Sequence, residues 1–337
     1  MKKDLRALRV AILGATGAVG QEFLSILEER KFPLSELKLL ASGKSAGKKV
    51  KFRGKEIAIE EAKPASFKGI DLVLASAGAS VSRQLAPEAV KQGAVVVDNT
   101  SAFRMDSNVP LVIPEINPEE IAKHQGIIAN PNCSTIIMAV PLYPIHKAAR
   151  AKRVVVSTYQ AASGAGMKAM HELQEQAKEV LAGKAPTKKI FRHQIAFNLF
   201  SHDSKIRDDG FTEEEHKMIQ ETRKIFRVPD FRLVPTTIRV PVLRAHSESI
   251  VVELEKPLSE DEARRIFSKA PGVRVIDDRA ANYFPMPIEA SGGDDVLVGR
   301  IRKDPSAENS LAFFVSGDQL RKGAALNAIQ IAEILFK

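Results

Sequence analysis

The chain has no tryptophan, a single cysteine, and aromatic residues at only 6% of its 337 positions. One cysteine cannot close an internal disulfide, which fits a reducing compartment and leaves Cys133 free for chemistry. No run of about 18 apolar residues occurs, so no membrane-spanning helix and no membrane partner are expected. Near the N-terminus, Asp4, Arg6 and Arg9 interrupt the apolar stretch that a secretory signal needs, and the expected location is the cytoplasm. Internal repeats and low-complexity tracts are also missing, which argues against solenoids and disordered tails.

What is present is an ordinary globular composition, 44% hydrophobic and 27% charged. The length exceeds the ~100–200 residues of one domain, so two domains are expected. A formal charge of +9 raises the question of nucleic acid, but the lysines and arginines are scattered and the aromatics are too few to stack on bases. Nucleic-acid binding is therefore not expected. The positive balance suits an enzyme whose cofactor and substrates are multiply anionic.

The fold expected is α/β. Residues 1–131 alternate short apolar runs with helical patterns: LRVAILGA (8–15), a helix from about Ala18 to Arg30, KLLAS (38–42), IDLVLASA (70–77), AVVVDNTS (94–101) and GIIANPN (126–132). Strands this apolar predict a doubly wound, Rossmann-type parallel sheet covered on both faces. Residues 132–317 read as an α+β domain on a mixed sheet, with strands in RVVVSTYQAAS, LVPTTIRVPVLR and SIVVELEKP and helices near 167–182, 212–226 and 259–269. From Asp318 to Lys337, Ala325, Ala328, Ile329, Ala332, Leu335 and Phe336 share one helical face, with Asp318 available as N-cap; this helix is expected to pack back on the first domain.

Two segments carry chemistry. GATGAVG (14–20) follows the first strand and opens the first helix, so Gly14, Thr16, Gly17, Ala18, Val19 and Gly20 are the expected contacts of a dinucleotide pyrophosphate. An NAD site usually offers an acid about 20 residues on. Here residues 41–48 read ASGKSAGK with no acid; Ser42, Lys44 and Ser45 supply hydroxyls and positive charge suited to a 2′-phosphate, and NADP is expected. The second segment is NPNCST (130–135), a strand-to-helix turn that places Cys133 in the first turn of a buried helix. There the helix dipole favours the thiolate, although a lone cysteine without such neighbours is ordinarily a small core residue.

Taken in order, GATGAVG (14–20), SAGK (45–48), SAFR (101–104), NPNCST (130–135), YQAASGAG (159–166), FTEEEHKMIQETRKI (211–225), RVPVLRAHSE (239–248) and KGAALNAIQIAE (322–333) resemble the aspartate-semialdehyde dehydrogenase family over essentially the full length. That family is similar in logic to glyceraldehyde-3-phosphate dehydrogenase. The resemblance implies a phosphorylating aldehyde dehydrogenase that interconverts 4-phospho-L-aspartate and L-aspartate 4-semialdehyde plus phosphate through a Cys133 thioester. The aldehyde feeds lysine, diaminopimelate, threonine, methionine and isoleucine synthesis. It implies His246 as general acid/base, Gln160 orienting the acyl group and Arg239 clamping the substrate carboxylate. Arg104 and Lys217 become phosphate anchors, Asn132 and Glu214 touch substrate, with Glu214 meeting the amino group, and Ser76, Ser163, Gly164 and Asn327 join the cofactor set. It further implies a homodimer paired through the second domain, and no metal.

Four points qualify this assignment. Seven residues separate Arg239 from His246, so a regular strand would point them to opposite faces; both can serve one site only if the strand ends or bulges between them, as Pro241 suggests. Lys44 stands where many relatives have arginine, and EEEHK offers more than one glutamate. By spacing alone, Glu214 and Lys217 would be a surface ion pair. N-acetyl-glutamyl-phosphate reductase is the nearest enzymatic alternative, and a nucleotide-binding sensor without catalysis the distant one.

Overall fold

The computed structural model describes residues 8–337. It divides into two compact units: the described residues through Asn132 together with Ala324–Lys337, and Cys133–Gly323. Residues 1–7, which open the expected first domain, lie outside the described residues.

The first unit holds β1 (Arg9–Leu13), β2 (Glu36–Ala41), β3 (Lys49–Phe52), β4 (Lys55–Glu61), β5 (Leu72–Ala75), β6 (Val95–Asp98) and β7 (Ile127–Ala129), with α1 (Ala18–Glu29) and α2 (Ala79–Lys91). The sheet order is β3-β4-β2-β1-β5-β6-β7. All neighbours run parallel except the β3–β4 hairpin at the edge. Strand alternation decides which core each side chain enters. Val10 and Ile12 pack with Phe23, Ile26 and Leu27 of α1, whereas Ala11 and Leu13 pack with Leu85, Ala86 and Ala89 of α2. Both faces are therefore covered, as near-continuous apolar strands require. The strand order reverses between β1 and β5, which opens a crevice beyond their carboxyl ends.

The second unit holds β8 (Ala151–Gln160), β9 (Phe200–Ser201), β10 (Arg232–Arg239), β11 (His246–Leu254), β12 (Val273–Val275), β13 (Val296–Lys303) and β14 (Ser310–Gly317), with α3 (Cys133–Ala149), α4 (Met167–Leu181), α5 (Glu213–Phe226), α6 (Glu260–Lys269) and the short α7 (Pro287–Ala290). Its sheet is mixed, ordered β12-β13-β14-β11-β8-β10-β9. One face, carrying His246, Ile250 and Val252, is buried. Gly317, the register partner of His246, abuts Ile137, so α3 covers this face. Apolar residues lie all round α3, which makes it a core helix.

The closing segment forms α8 (Leu326–Leu335), whose Ala328, Ile329 and Ala332 join the core beneath α1. Arg30, the C-cap of α1, pairs with Glu333 at 2.7 Å. Asp318 does cap, accepting from the amides of Leu320 (2.9 Å) and Arg321 (3.1 Å), but it caps a π-helical turn, Arg321–Ala325, that precedes α8. Asp318 to Gly323 consequently belong to the second unit, not to the first as their sequence pattern suggested. Among the described residues no helix is long and apolar enough to cross a membrane.

Candidate active site

Cys133 is the first residue of α3 and is partly exposed. Its position follows from local sequence: Pro131 cannot continue a hydrogen-bonded strand, and the buried run from Ser134 to Leu142 sets the helix against the sheet. Gly323 approaches so closely that an added Cβ would lie 3.0 Å from the Cβ of Cys133. Gln160, at the end of β8, is 1% exposed and donates through Nε2 to the hydroxyl of Ser134 at 2.7 Å, which fixes its amide beside the thiol's neighbour.

Strand β10 ends at Arg239 and β11 starts at His246, so the intervening residues leave strand geometry. Val242 and Leu243 accept instead from the amides of Ala162 and Ser163. This interruption lets Arg239 and His246 converge. A Cβ built on Gly164 would stand 3.1 Å from His246 Nε2 and 3.2 Å from an Arg239 nitrogen, so both side chains close tightly on that wall and a larger residue would press on them. Ser163 is buried, and its hydroxyl accepts from the Gln319 amide.

His246 is wholly buried. Its Nδ1 accepts the amide proton of Ala161 at 3.0 Å, which assigns the ring proton of the neutral form to Nε2. Nε2 has no partner among the described residues. Burial, and next the positive charge of Arg239, hold the imidazole pKa down to about 3, while Glu214 opposes them. His202, mostly but not fully buried and near the same guanidinium, is lowered to about 4, first by burial.

Of the three glutamates opening α5, Glu213 is half-exposed and reaches Arg207. Glu215 is committed to structure: it accepts from Thr212 N at 2.7 Å and Thr237 N at 2.9 Å. Glu214 is left, 5% exposed and paired with Lys217 at 3.0 Å. The ion pair expected from spacing exists, but its acidic half is buried. Sequence reading missed Asp203, which meets Arg239 Nε at 3.4 Å, as well as Ser134, His202 and Gln319; their contacts with the site are long-range pairings without a local signature.

In the first unit a cavity of ≈ 610 Å³ opens beyond β1 and β5, lined by Gly14, Thr16, Gly17, Ser42 and Ser76 among others. Gly14 has φ +94°, and a Cβ there would press on the Ser76 carbonyl at 2.6 Å. Gly20 would clash with the Gly14 carbonyl, so the third glycine serves close packing of α1. Gly17 caps α1 and Ala18 and Val19 form its first turn, offering backbone amides while Val19 packs into the core. Lys44 and Ser45 stand in the turn after Ser42 but not on the cavity wall. Residues 41–48 hold no acid, but the wall gains one from another strand: the β2–β4 register sets Glu61 beside Ala41, and Lys63 pairs with it at 2.7 Å.

Arg104 is buried, donating to the carbonyls of Asn130 (2.9 Å) and Asn99 (2.7 Å). Asn132 is 7% exposed. Asn327 is wholly buried, and its amide donates to Val112 O at 3.0 Å and Asn130 Oδ1 at 2.7 Å. It lies off the cavity wall and braces the segment leading to Asn132.

The model of the semialdehyde dehydrogenase NAD-binding domain matches residues 9–124, and that of the semialdehyde dehydrogenase dimerisation domain matches 142–322. An aspartate-semialdehyde dehydrogenase of Synechocystis sp. is 57% identical over 330 residues, spanning 98% of both chains. The Bacillus subtilis enzyme of that name is 49% identical, again over 98% of each. The crystal structure of aspartate semialdehyde dehydrogenase II from Vibrio cholerae, complexed with ASA, superposes with a TM-score of 0.95 at 43% identity, covering 97% of this chain and 98% of the other. The chain belongs to the aspartate-semialdehyde dehydrogenase family. Within this family frame, the NAD-binding match begins at β1 and stops short of β7, and the dimerisation match runs from within α3 to the turn after β14.

Proposed function

We propose that the chain is an NADP-dependent aspartate-4-semialdehyde dehydrogenase working through a thioester on Cys133. The observation that carries this reading is the convergence of Gln160, His246 and Arg239 around the start of α3, with His246 Nε2 buried, protonated and unpartnered among the described residues. In the reductive direction the Cys133 thiolate attacks the carbonyl carbon of 4-phospho-L-aspartate; a C–S bond forms, the C–O bond to phosphorus breaks, and phosphate leaves. A nicotinamide dinucleotide held at the Gly14, Gly17 and Gly20 turn would supply the hydride that reduces the thioester. The neutral His246 donates an Nε2–H hydrogen bond to the oxygen that becomes negative; that oxyanion then re-forms the carbonyl, the C–S bond breaks with its electron pair going to the Cys133 thiolate, and aldehyde is released. The tautomer fixed by Ala161 favours this donating role, because Nδ1 has no free lone pair.

Arg239 would grip the substrate carboxylate, Glu214 the α-amino group and Lys217 the phosphate, a role the family resemblance also gives to Arg104. A buried carboxylate in the position of Glu214 suits a free ammonium; an acetylated amine carries no such charge, which disfavours N-acetyl-glutamyl phosphate. The glycine cradle and the cavity fit a dinucleotide, and Ser42 with Lys63 gives a 2′-phosphate hydrogen-bonding and cationic partners, although Glu61 moderates that preference. A homodimer is supported by the dimerisation-domain match and by a row of side chains, Val234, Val155 and Val251, on the sheet face that α3 leaves open.

The test is phosphate-dependent reduction of NADP by L-aspartate 4-semialdehyde. Cys133→Ala should abolish it, with NAD supporting much slower turnover. Activity surviving in that variant would overturn the thioester, and equal efficiency with NAD would overturn the cofactor preference.

A further inference from the structure

Helix α4 spends two buried polar side chains on a segment without regular structure. The Glu172 carboxylate, 7% exposed, accepts three backbone hydrogen bonds, from Lys189 (2.8 Å) and Ile190 (2.6 Å) at Oε2 and from Phe191 (3.1 Å) at Oε1. One helical turn on, Gln176 is fully buried; its Oε1 accepts from Ile195 at 2.8 Å and Ala196 at 3.2 Å, and its amide donates to Thr187 O at 2.8 Å. Residues 187–196 are thus strapped to α4. Burying a carboxylate is costly unless donors surround it, and here the donors are the strap's own amides.

The strap delivers one aromatic ring. Phe191 is 2% exposed, and the guanidinium carbon of Arg239 lies over it, 5.7 Å from the centroid. Phe200 meets Phe191 edge-on at 5.9 Å and is the register partner of Arg239. The aromatic floor under the guanidinium therefore hangs on amides that Glu172 holds. Opposite charge near Arg239 comes from Asp203 at 3.4 Å, a contact from one carboxylate oxygen that leaves the fork of donors incompletely fixed.

We infer that Glu172 is a positioning residue for the substrate clamp: by fixing the strap it seats Phe191 beneath Arg239 and so orients the guanidinium that receives the substrate carboxylate. This rests on Arg239 being that clamp. A strap with purely structural work would affect folding without favouring one substrate over another. Positioning of Arg239 instead changes how tightly the amino-acid substrate is held, and leaves the chemistry at Cys133 and the dinucleotide untouched.

Steady-state kinetics on Glu172→Gln, Phe191→Leu, Arg239→Lys and the Glu172→Gln/Arg239→Lys pair test this. Glu172→Gln should raise KM for aspartate semialdehyde about fivefold or more while kcat and KM for the dinucleotide stay within about twofold. Phe191→Leu should show the same split, which keeps the test decisive if Glu172→Gln fails to fold. In the double variant the KM increases should be less than multiplicative, since both changes act through one guanidinium. Unchanged KM in both Glu172→Gln and Phe191→Leu, with Arg239→Lys impaired, would overturn the inference and leave the clamp intact. So would multiplicative effects, or parallel losses in kcat and both KM values. An Arg239→Lys protein with normal KM would overturn the clamp itself, and this inference with it.

Discussion

His246 is held neutral by burial and by Arg239 acting with the same sign, and that has a consequence outside catalysis. Its folded pKa, about 3, lies below the ordinary 6.5, so between those values the unfolded chain binds a proton that the folded one refuses. By linkage, the stability this histidine contributes is present above pH 6.5 and is lost as pH falls toward 3. One such proton is worth about 1.4 kcal/mol for each pH unit. His246→Asn cannot take up that proton, so its unfolding free energy should fall less steeply than the wild type's from pH 6 to 4, by roughly one proton's slope. Denaturant titrations of the two proteins at several pH values measure this. Superimposable slopes would mean that the imidazole is not held neutral.

At the scale of elements, much of the site was readable from sequence, because its parts sit where one element hands over to another. The glycine turn after β1, the thiol at the start of α3 and the break between β10 and β11 each leave a local mark: a glycine triplet, a Pro–Asn before an apolar run, a proline between two strands. Less readable were the β3–β4 hairpin and the β13–β14 pair. The first is short and rich in charge, like a solvated loop; in the second, β13 carries Gly299 and a register shift between Gly299 and Arg302 that break its alternation. Glu61 was missed for the same reason, since only the β2–β4 register brings it to the cavity. Glu215 could not be told from Glu214 until the capping box of α5 and its bond to β10 were in place. The π-helical turn was equally hidden, as its sequence reads as plain helix, yet it puts Gly323 against Cys133. A methyl group there must push either the turn or the first turn of α3. Gly323→Ala should therefore lower kcat by about ten- to a hundredfold, as small displacements of reacting groups do, while the protein still folds. Thermal melting with kcat on the same sample distinguishes misplacement from unfolding, and a normal kcat would show that the thiol tolerates the shift.

For the molecule as a whole, the two faces of the mixed sheet do different work. On β8, Gln160 turns toward the buried face and Ser134, whereas Tyr159 turns the other way, 37% exposed and 6.2 Å from Phe314. Along that open face Val234, Val155 and Val251 are register neighbours across three adjacent strands. An uncovered apolar row of this kind, in a domain matched by a dimerisation model, is the surface on which a second copy would pack. Lysine at position 155 would keep its charge in water while the chain is alone, so monomer stability should change by no more than about 0.5 kcal/mol. In a dimer the same charge would be buried, and around the two-fold axis it would appear twice. Val155→Lys should thus weaken self-association by a hundredfold or more, about 3 kcal/mol. Sedimentation velocity across a concentration series would show monomer where the wild type shows dimer. Because β8 also carries Gln160, the monomer should lose turnover in step with dissociation. A variant that sediments like the wild type would place the interface elsewhere, and a fully active monomer would separate pairing from the support of Gln160.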